Sequence, residues 1–404
     1  MADRSFNEIL RKYFLYILLV FLLMIPILWI DFCPKNRVFI PHDKISITYR
    51  FPKNIDKLEN GNFLLDFGKS GFGNLDIVQK SANNDSIILH LGETLTKEKF
   101  VSRKPYGSIR YQRVSIADGR SNKRRKIKLK ETELNTSRFA IKLPDSLKGV
   151  MPFRYCEIEN LNIPIEKVII RQKIIIYNFS DDVSNFTSSD TILNKIWDLC
   201  SYTIKATSFL GLYVDGDRER IPYEADAYIN MLGHFTIDND YSIAKRTNEY
   251  FLENPTWPTE WVLHTVPLFY QYYMYSGDIN PIRKNYQKLK AKTLFELERE
   301  DGLISSKSTK LTISQLKKIG FKENKIRLTH FYDDLKSKIY DLFYGVEPKM
   351  VDIIDWPHPN NDDKVNIKGE TDNFVISDYN SVVNSFYYKN LKLMSIIAGF
   401  LNKN

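Results

Sequence analysis

The sequence of 404 residues predicts a β-sandwich followed by a helical domain of stacked hairpins. From about residue 39 to residue 179, apolar and polar residues alternate over short runs, which is the period of half-buried strands. Near Ser188 the period changes to that of amphipathic helices. We therefore predict a signal anchor or signal peptide with a linker over 1–38, a β-sandwich domain over 39–179 and a helical domain over 180–404.

Four runs carry the strand signal most clearly, and turn residues separate them. These are K-I-S-I-T-Y-R-F (44–51), N-F-L-L-D-F-G (62–68), S-I-I-L-H-L-G (86–92) and K-V-I-I-R-Q-K-I-I-I-Y (167–177). The glycine-rich stretch 69–74 is predicted to be one of the turns.

Helical spacing begins at Ser188, with Ser189 or Asp190 as the expected N-cap. The predicted helices follow at short, regular intervals, which favours hairpins stacked around one axis over a bundle of long helices. They lie at 188–207, 223–234, 240–253, 261–275, 280–298, 314–318 and 379–401. The long polar loop 355–373 between the last two is expected to be functional.

The N-terminal segment from Tyr13 to Ile30 is apolar, without a charge, and follows Arg11 and Lys12. Eighteen residues are just enough for a spanning helix, and no small-residue cleavage site follows. An uncleaved membrane anchor, a cleaved signal and a buried helix remain open. Both of the first two place the body of the protein outside the cytoplasm.

Net charge is +9, and seven Lys and Arg residues of the basic run 120–130 account for most of it. Without them the charge falls to +2. We predict that the run forms a hairpin with 110–116 and is a solvated edge strand that discourages intermolecular pairing. Contact with anionic lipid or polysaccharide is a second interpretation; nucleic acid is not an expected partner.

Only Cys156 and Cys200 lie beyond the apolar segment, and neither has Cys or His at metal-ligand spacing. Both are expected to be small buried hydrophobes. No metal site and no cofactor is predicted.

Carboxylates crowd the segment D-G-D-R-E-R-I-P-Y-E-A-D (215–226), here called the acidic segment, which also carries Arg218 and Arg220. Like charges at short range raise some carboxyl pKa values, so one acid can stay protonated while its neighbours hold hydroxyl groups. An Arg–carboxylate network that only fixes a loop to a helix is the alternative.

Five aromatic residues are expected in loops, the two tyrosines in or next to the acidic segment: Tyr213, Tyr223, Trp257, Trp261 and Trp356. Each alone is more often packing, but beside clustered carboxylates they favour a carbohydrate site.

Four motifs then resemble bacterial α-L-rhamnosidases of glycoside hydrolase family 78, in the six-hairpin glycosidase superfamily. They are the run D-G-D-R-E-R-I-P-Y-E-A-D-A-Y-I-N (215–230), N-P-T-W-P-T-E-W (254–261), D-I-I-D-W-P (352–357) and Y-N-S-V-V-N-S-F-Y-Y (379–388). Sandwich motifs L-D-F-G-K-S-G-F-G (65–73), L-H-L-G-E-T (89–94) and F-R-Y-C-E-I (153–158) fit as well. The resemblance implies a sandwich before an (α/α)6 catalytic toroid.

By position, the resemblance implies inverting hydrolysis of terminal α-L-rhamnose with Glu219 as the general acid. Its expected substrate-binding residues are Asp215, Asp226, Arg218, Arg220, Tyr223, Trp257, Trp261, Trp356 and Asp355. A rhamnose-containing oligosaccharide or polysaccharide is the expected partner, along with the membrane through residues 13–30.

In the family the general base lies in later helices, beyond the segment that 379–401 resembles. We therefore expect a C-terminally truncated chain with an incomplete toroid and without the base. A noncatalytic carbohydrate-binding protein and an inactive fragment are the alternatives.

Overall fold

The computed structural model describes residues 44–79, 86–116, 123–137, 139–144, 147, 149–180, 182–307, 309, 311–321, 350, 352–354 and 378–403. An antiparallel β region is followed by a helical region, as the sequence predicted.

Eight strands are described in the β region, and every pairing between them is antiparallel. They are β1 (Ile45–Arg50), β2 (Asn54–Lys57), β3 (Phe63–Gln79), β4 (Ile87–Gly92), β5 (Tyr111–Ile116), β6 (Lys123–Lys126), β7 (Met151–Glu159) and β8 (Val168–Tyr177). The strand order is β1-β8-β3-β7-β4-β5, with β2 and β6 also paired to β3.

The long strand β3 changes partners along its length. Its first half pairs with β2 and β7 and its second half with β6 and β8, and the register shifts between Asp66 and Gly71. A Cβ on Gly73 would lie 2.1 Å from the carbonyl oxygen of Lys173, so only glycine allows this approach to β8. The prediction of a turn at 69–74 is therefore wrong: the glycines serve an irregularity within a strand.

One apolar core brings together residues from most strands of the β region. Its fully buried members include Leu65, Phe67, Leu89, Leu91 and Met151. Inward-facing residues alternate with outward-facing ones along the strands, which is why the period-2 signal was readable in the sequence.

The basic run does form a strand, but its partner differs from the prediction. Strand β6 pairs with 76–79 of β3, while β5 pairs with β4. Arg125 of this strand is buried and donates to Gln79 Oε1 at 3.2 Å, whereas Arg124 is exposed and lies 2.7 Å from Asp76. The predicted hairpin with 110–116 is thus wrong.

Eight α-helices are described, and each of the seven predicted helical segments overlaps at least one of them. They are α1 (Thr191–Thr207), α2 (Glu224–His234), α3 (Ser242–Glu253), α4 (Thr259–Val262), α5 (Thr265–Ser276), α6 (Asn280–Lys292), α7 (Ile313–Ile319) and α8 (Ser381–Phe400). Asp190 is the N-cap of α1, because its side chain accepts from the backbone N of Ile192 at 2.7 Å.

Helix α1 is exposed along its apolar stripe. Ile192, Ile196 and Leu199 have exposed fractions of 64%, 49% and 64%, and none of the 17 residues is buried. Cys200 is also exposed, so the expectation that both cysteines are buried holds only for Cys156.

The helical region packs against the sandwich. Phe72 and Phe209 stack with ring centroids 4.3 Å apart, and Lys44 donates to Asp240 at 2.7 Å. A shared cluster brings Val150 and Ile175 of the sandwich against Leu212 and Val214, which lead directly into the acidic segment. This interface therefore positions the acidic segment.

No helix in the described part of the chain has the length and apolar character needed to cross a membrane. The apolar segment Tyr13–Ile30 lies outside the described residues, as does the polar loop 355–373.

Candidate active site

The acidic segment closes into a loop before helix α2 begins. Asp215 N donates to Ile221 O at 3.2 Å, and Ile221 N donates to Asp215 Oδ1 at 3.1 Å. The backbone turns through positive φ angles of 109° at Gly216 and 57° at Arg220. Left-handed backbone at an arginine is strained, and it persists because the side chain is held by the contacts described next.

Arg220 lies on the closed side of this loop, with only 1% of its surface exposed. Its Nε and Nη2 donate to Asp217 Oδ1 at 3.0 and 2.7 Å, and Nη2 also donates to Val150 O at 2.9 Å. Arg110 of the sandwich donates to the other oxygen of Asp217. These contacts use the guanidinium to fasten the loop to the sandwich and leave it no access to a substrate, so the placement gives no support to the prediction that Arg220 binds sugar.

The open side of the loop carries Asp215, Arg218 and Glu219. Arg218 lies between the two acids, with Nη2 3.5 Å from Glu219 Oε1 and Nε 3.8 Å from Asp215 Oδ2. Asp215 Oδ2 is buried and has no hydrogen-bond donor in the structure. A buried oxygen without a donor is costly, so this atom lacks the partner that buried carboxylate oxygens ordinarily have.

Two carboxyl pKa values on this side are raised. Burial raises the pKa of Asp215 to about 6; the negative charge of Glu219 adds to the effect, while the bond from Ile221 N opposes it. The pKa of Asp226 is also raised, mainly by loss of solvation, with Arg218 opposing and Glu219 adding. The three acids and Arg218 therefore form one electrostatic unit.

Tyr223 connects the acids to the aromatic residues. Its hydroxyl donates to Glu219 Oε2, and its ring meets that of Trp261 at 5.1 Å and 67°. Burial and the bond to Glu219 both raise the pKa of Tyr223, so the phenol remains a donor throughout the physiological range. Glu219 is thereby held in one orientation while its side chain stays 23% exposed.

A second connection runs from Glu224 to the loop that carries Trp257. Both carboxylate oxygens of Glu224 accept from Thr256, one from the backbone N at 3.0 Å and the other from the hydroxyl. Trp257 follows Thr256 directly and is partly exposed, as Trp261 is.

Glu260 holds a third segment. Its carboxylate is buried and accepts from the backbone N of Ile353 at 3.2 Å and of Ile354 at 2.9 Å. Asp355 and Trp356 come next in the chain but lie outside the described residues, so their predicted contacts with substrate are not part of this geometry.

The structure therefore brings together six of the predicted site residues: Asp215, Arg218, Glu219, Tyr223, Asp226 and Trp261. Sequence reasoning missed the anchoring roles of Glu224, Glu260 and Arg110. The two glutamates stand in the motifs already quoted, whereas Arg110 lies 107 positions before Asp217, and no local pattern connects the two.

Within the described ranges, no group of three or more His, Cys, Asp or Glu side chains is arranged to hold a metal ion. The site's own chemistry consists of carboxylates, a guanidinium, a phenol and aromatic rings. This is the set that proton transfer to a glycosidic oxygen and the binding of sugar hydroxyls require.

Two family models match the chain one after the other. The bacterial alpha-L-rhamnosidase concanavalin-like domain matches residues 56–175, and the bacterial alpha-L-rhamnosidase 6 hairpin glycosidase domain matches residues 181–313. The chain belongs to the bacterial α-L-rhamnosidase family. The acidic segment lies within the second match, so the site just described is on the family's six-hairpin domain.

Solved structures of α-L-rhamnosidases share the fold of this rhamnosidase-family chain. The Streptomyces avermitilis enzyme complexed with L-rhamnose matches at 12% identity with a TM-score of 0.55, covering 89% of this chain and 29% of that one. The native Aspergillus terreus enzyme matches at 12% and 0.56, covering 88% and 36%. The Dictyoglumus thermophilum enzyme matches at 14% and 0.50, covering 88% and 37%. At these identities the likeness concerns the fold alone.

The chain thus spans about a third of the length of these three enzymes. Among curated proteins, none matches it significantly.

Proposed function

We propose that the protein hydrolyses terminal α-L-rhamnose from glycans or glycosides, with Glu219 as the general acid. The observation that carries the proposal is the grouping of Glu219 and Asp215 around Arg218, with Tyr223 donating to Glu219, on the family's six-hairpin domain. One of these acids is partly exposed and oriented by a phenol, and another has a buried oxygen without a donor.

In the proposed reaction the bond between the anomeric carbon and the glycosidic oxygen breaks as Glu219 gives its proton to that oxygen. A water molecule attacks the anomeric carbon from the opposite face, which inverts the configuration, and its proton passes to a second carboxylate. Inverting enzymes keep the two carboxyl groups about 6.5–9.5 Å apart. We assign this second group to no residue of the described chain.

Asp215 and Asp226 would bind hydroxyl groups of rhamnose. The unpartnered Oδ2 of Asp215 supplies an acceptor, and Arg218 lies where it can donate to a third hydroxyl while balancing the negative charge. Trp257, Trp261 and Tyr223 would offer the apolar faces that sugar rings contact, and we extend the proposal to Asp355 and Trp356 through the family motif.

The test is release of L-rhamnose from methyl α-L-rhamnoside, whose alkoxide leaving group needs a proton, by the protein and by its Glu219→Gln variant. The aryl substrate p-nitrophenyl α-L-rhamnoside, whose leaving group needs little protonation, is the control. Loss of a general acid lowers kcat by about 10²–10⁴, so the kcat of the variant should fall by this factor while the variant still binds L-rhamnose. An active protein that tolerates Glu219→Gln would show that the acid is a different residue.

The same assay separates the alternative function. A protein that binds L-rhamnose without turnover, and loses binding in Asp215→Asn, would be a carbohydrate-binding protein instead of an enzyme.

We further propose that the protein is exported and is attached to the membrane through residues 13–30. These residues carry no charge, are just long enough for a spanning helix and follow Arg11 and Lys12, which supports the proposal. Alkaline extraction of membranes tests attachment: an anchored protein stays in the pellet, and a cleaved one is released.

A further inference from the structure

Glu224 is a buried acid that the proposed chemistry does not use. It is the first residue of helix α2, directly after Tyr223, and has no exposed surface. Burial raises its pKa, and the charge of Lys292 is the largest opposing influence. Lys292 is itself fully buried and donates to Phe251 O at 2.7 Å. Burying a carboxylate costs free energy, so a glutamate at this position requires a structural or functional reason.

Its hydrogen bonds indicate that reason. Both carboxylate oxygens are used by one residue, Thr256, through its backbone N and its hydroxyl. Two parallel bonds to a single residue fix its orientation as well as its position. Thr256 lies in the short connection between helices α3 and α4, and Trp257 is the next residue.

The acidic segment therefore touches helix α4 at one point and this connection at another. The ring of Tyr223 meets Trp261 on one side, and the carboxylate of Glu224 holds Thr256 on the other. Glu219 depends on neither Thr256 nor Glu224 for the contacts described above, since Tyr223 and Arg218 orient it.

We propose that Glu224 is a positioning residue that sets the place of Trp257 through Thr256, so that it governs how tightly the rhamnose ring is held. The inference rests on the proposed function. It separates two effects: loss of Glu224 should weaken sugar binding and leave proton transfer by Glu219 intact.

The experiment uses the full chain and its Glu224→Gln, Thr256→Val and Thr256→Ser variants. A glutamine offers only one acceptor and places an amide donor against Thr256, and valine removes the hydroxyl at nearly constant shape. Each loses a bond to a charged group, so we expect the Kd for L-rhamnose, followed by tryptophan fluorescence, to rise about 10-fold. KM for the aryl rhamnoside should rise by the same factor as Kd, while kcat stays within about 2-fold of the wild-type value. Thr256→Ser keeps both donors, so it should keep wild-type values.

Hydrogen exchange at the Thr256 amide provides the readout that does not require sugar. The amide should exchange about 10-fold faster in Glu224→Gln. A matched control is Glu157→Gln in the sandwich, another fully buried glutamate, which should lower stability without changing the Kd for L-rhamnose. If Glu224→Gln does not fold, Thr256→Val breaks the same contact from the other side.

The outcomes are distinct. A wild-type protein that binds no L-rhamnose overturns the proposed function. If the wild-type protein binds L-rhamnose, two results overturn the positioning role of Glu224 alone. One is that Glu224→Gln and Thr256→Val bind L-rhamnose as tightly as wild type. The other is that the Thr256 amide of Glu224→Gln exchanges at the wild-type rate.

Discussion

The two sides of the acidic segment differ in what their charges are used for. On the closed side, Asp217 and Arg220 are buried and satisfy each other, with Arg110 completing the set from the sandwich. On the open side, Asp215 has an oxygen without a donor, and Glu219 is partly exposed. Residues that are interleaved along the sequence thus divide into a structural set and a chemical set.

This difference shows that charge density alone does not identify a catalytic acid. The useful distinction is whether the oxygens of a carboxylate are already occupied by protein donors. Both oxygens of Asp217 are occupied, whereas Asp215 and Glu219 retain capacity for a ligand.

Breaking the closed side should have the largest effect. Asp217→Asn removes the carboxylate that Arg110 and Arg220 share and leaves Arg220 with Glu131, at 3.3 Å, as its remaining carboxylate partner. Loss of one partner of a buried ion pair costs about 3–5 kcal/mol. We expect the free energy of unfolding, measured with urea, to fall by this amount. The matched change on the open side, Asp226→Asn, should alter it by less than about 1 kcal/mol, since Asp226 keeps solvent contact even though partial loss of solvation raises its pKa.

Equal losses of stability in these two variants would contradict the division of the segment into two sides. A loss of L-rhamnose binding in Asp226→Asn at unchanged stability would strengthen it.

The role of Asp215 on the open side can be tested through the pH dependence of stability. The pKa of Asp215 is about 6 in the folded protein against 3.8 in the unfolded chain, so the folded state binds more protons between these values. Stability therefore falls as pH rises through this window, by at most about 3 kcal/mol from this group. Asp215→Asn should match wild type near pH 3.5 and be more stable above pH 6, as measured by urea unfolding across the range.

Asp240 provides the internal control for the sign. Hydrogen bonds from Lys44 and Ser242 hold its pKa at about 2 against the effect of burial, so its contribution is present above pH 3.8 and is lost as pH falls through 2. Asp240→Asn should therefore lower stability at neutral pH, opposite to Asp215→Asn. The same sign for both variants would show that burial does not dominate at Asp215.

The smallest effect is expected at Arg218. Its side chain is 41% exposed, and exposed ion pairs are worth about 0–1 kcal/mol, so Arg218→Gln should change the free energy of unfolding by less than that. Because the charge of Arg218 lowers the pKa of Asp215, the variant should shift the Asp215 transition to higher pH. Repeating the pH series in this background measures the shift; an unchanged transition would place Arg218 outside the electrostatic unit.

Elements with a local signal could be predicted from the sequence. The period-2 runs became β1, β4 and β8, and the helical runs became helices with an N-cap at Asp190, because each signal lies within a few residues of the element it sets. Pairing between distant segments has no such signal. The predicted partner of β6 and the predicted turn at the glycines of β3 are therefore wrong. Both features depend on strands far away in the chain.

The same limit applies to the site. The acidic segment was identifiable as a cluster, but whether an arginine faces a ligand or the sandwich depends on partners such as Val150 and Arg110. Helix α1 is a further case: its spacing shows which face is apolar, but spacing does not show what covers that face.

The order in which the chain is synthesised bears on the contact of Arg110 with Asp217. Translation adds about 5–20 residues per second, so the sandwich leaves the ribosome seconds before the acidic segment does. The surface that receives Asp217 and Arg220 can thus exist before those charges need to be buried. A circular permutant synthesised with the helices first would hold Asp217 without Arg110, and Arg220 without Val150, until the sandwich followed.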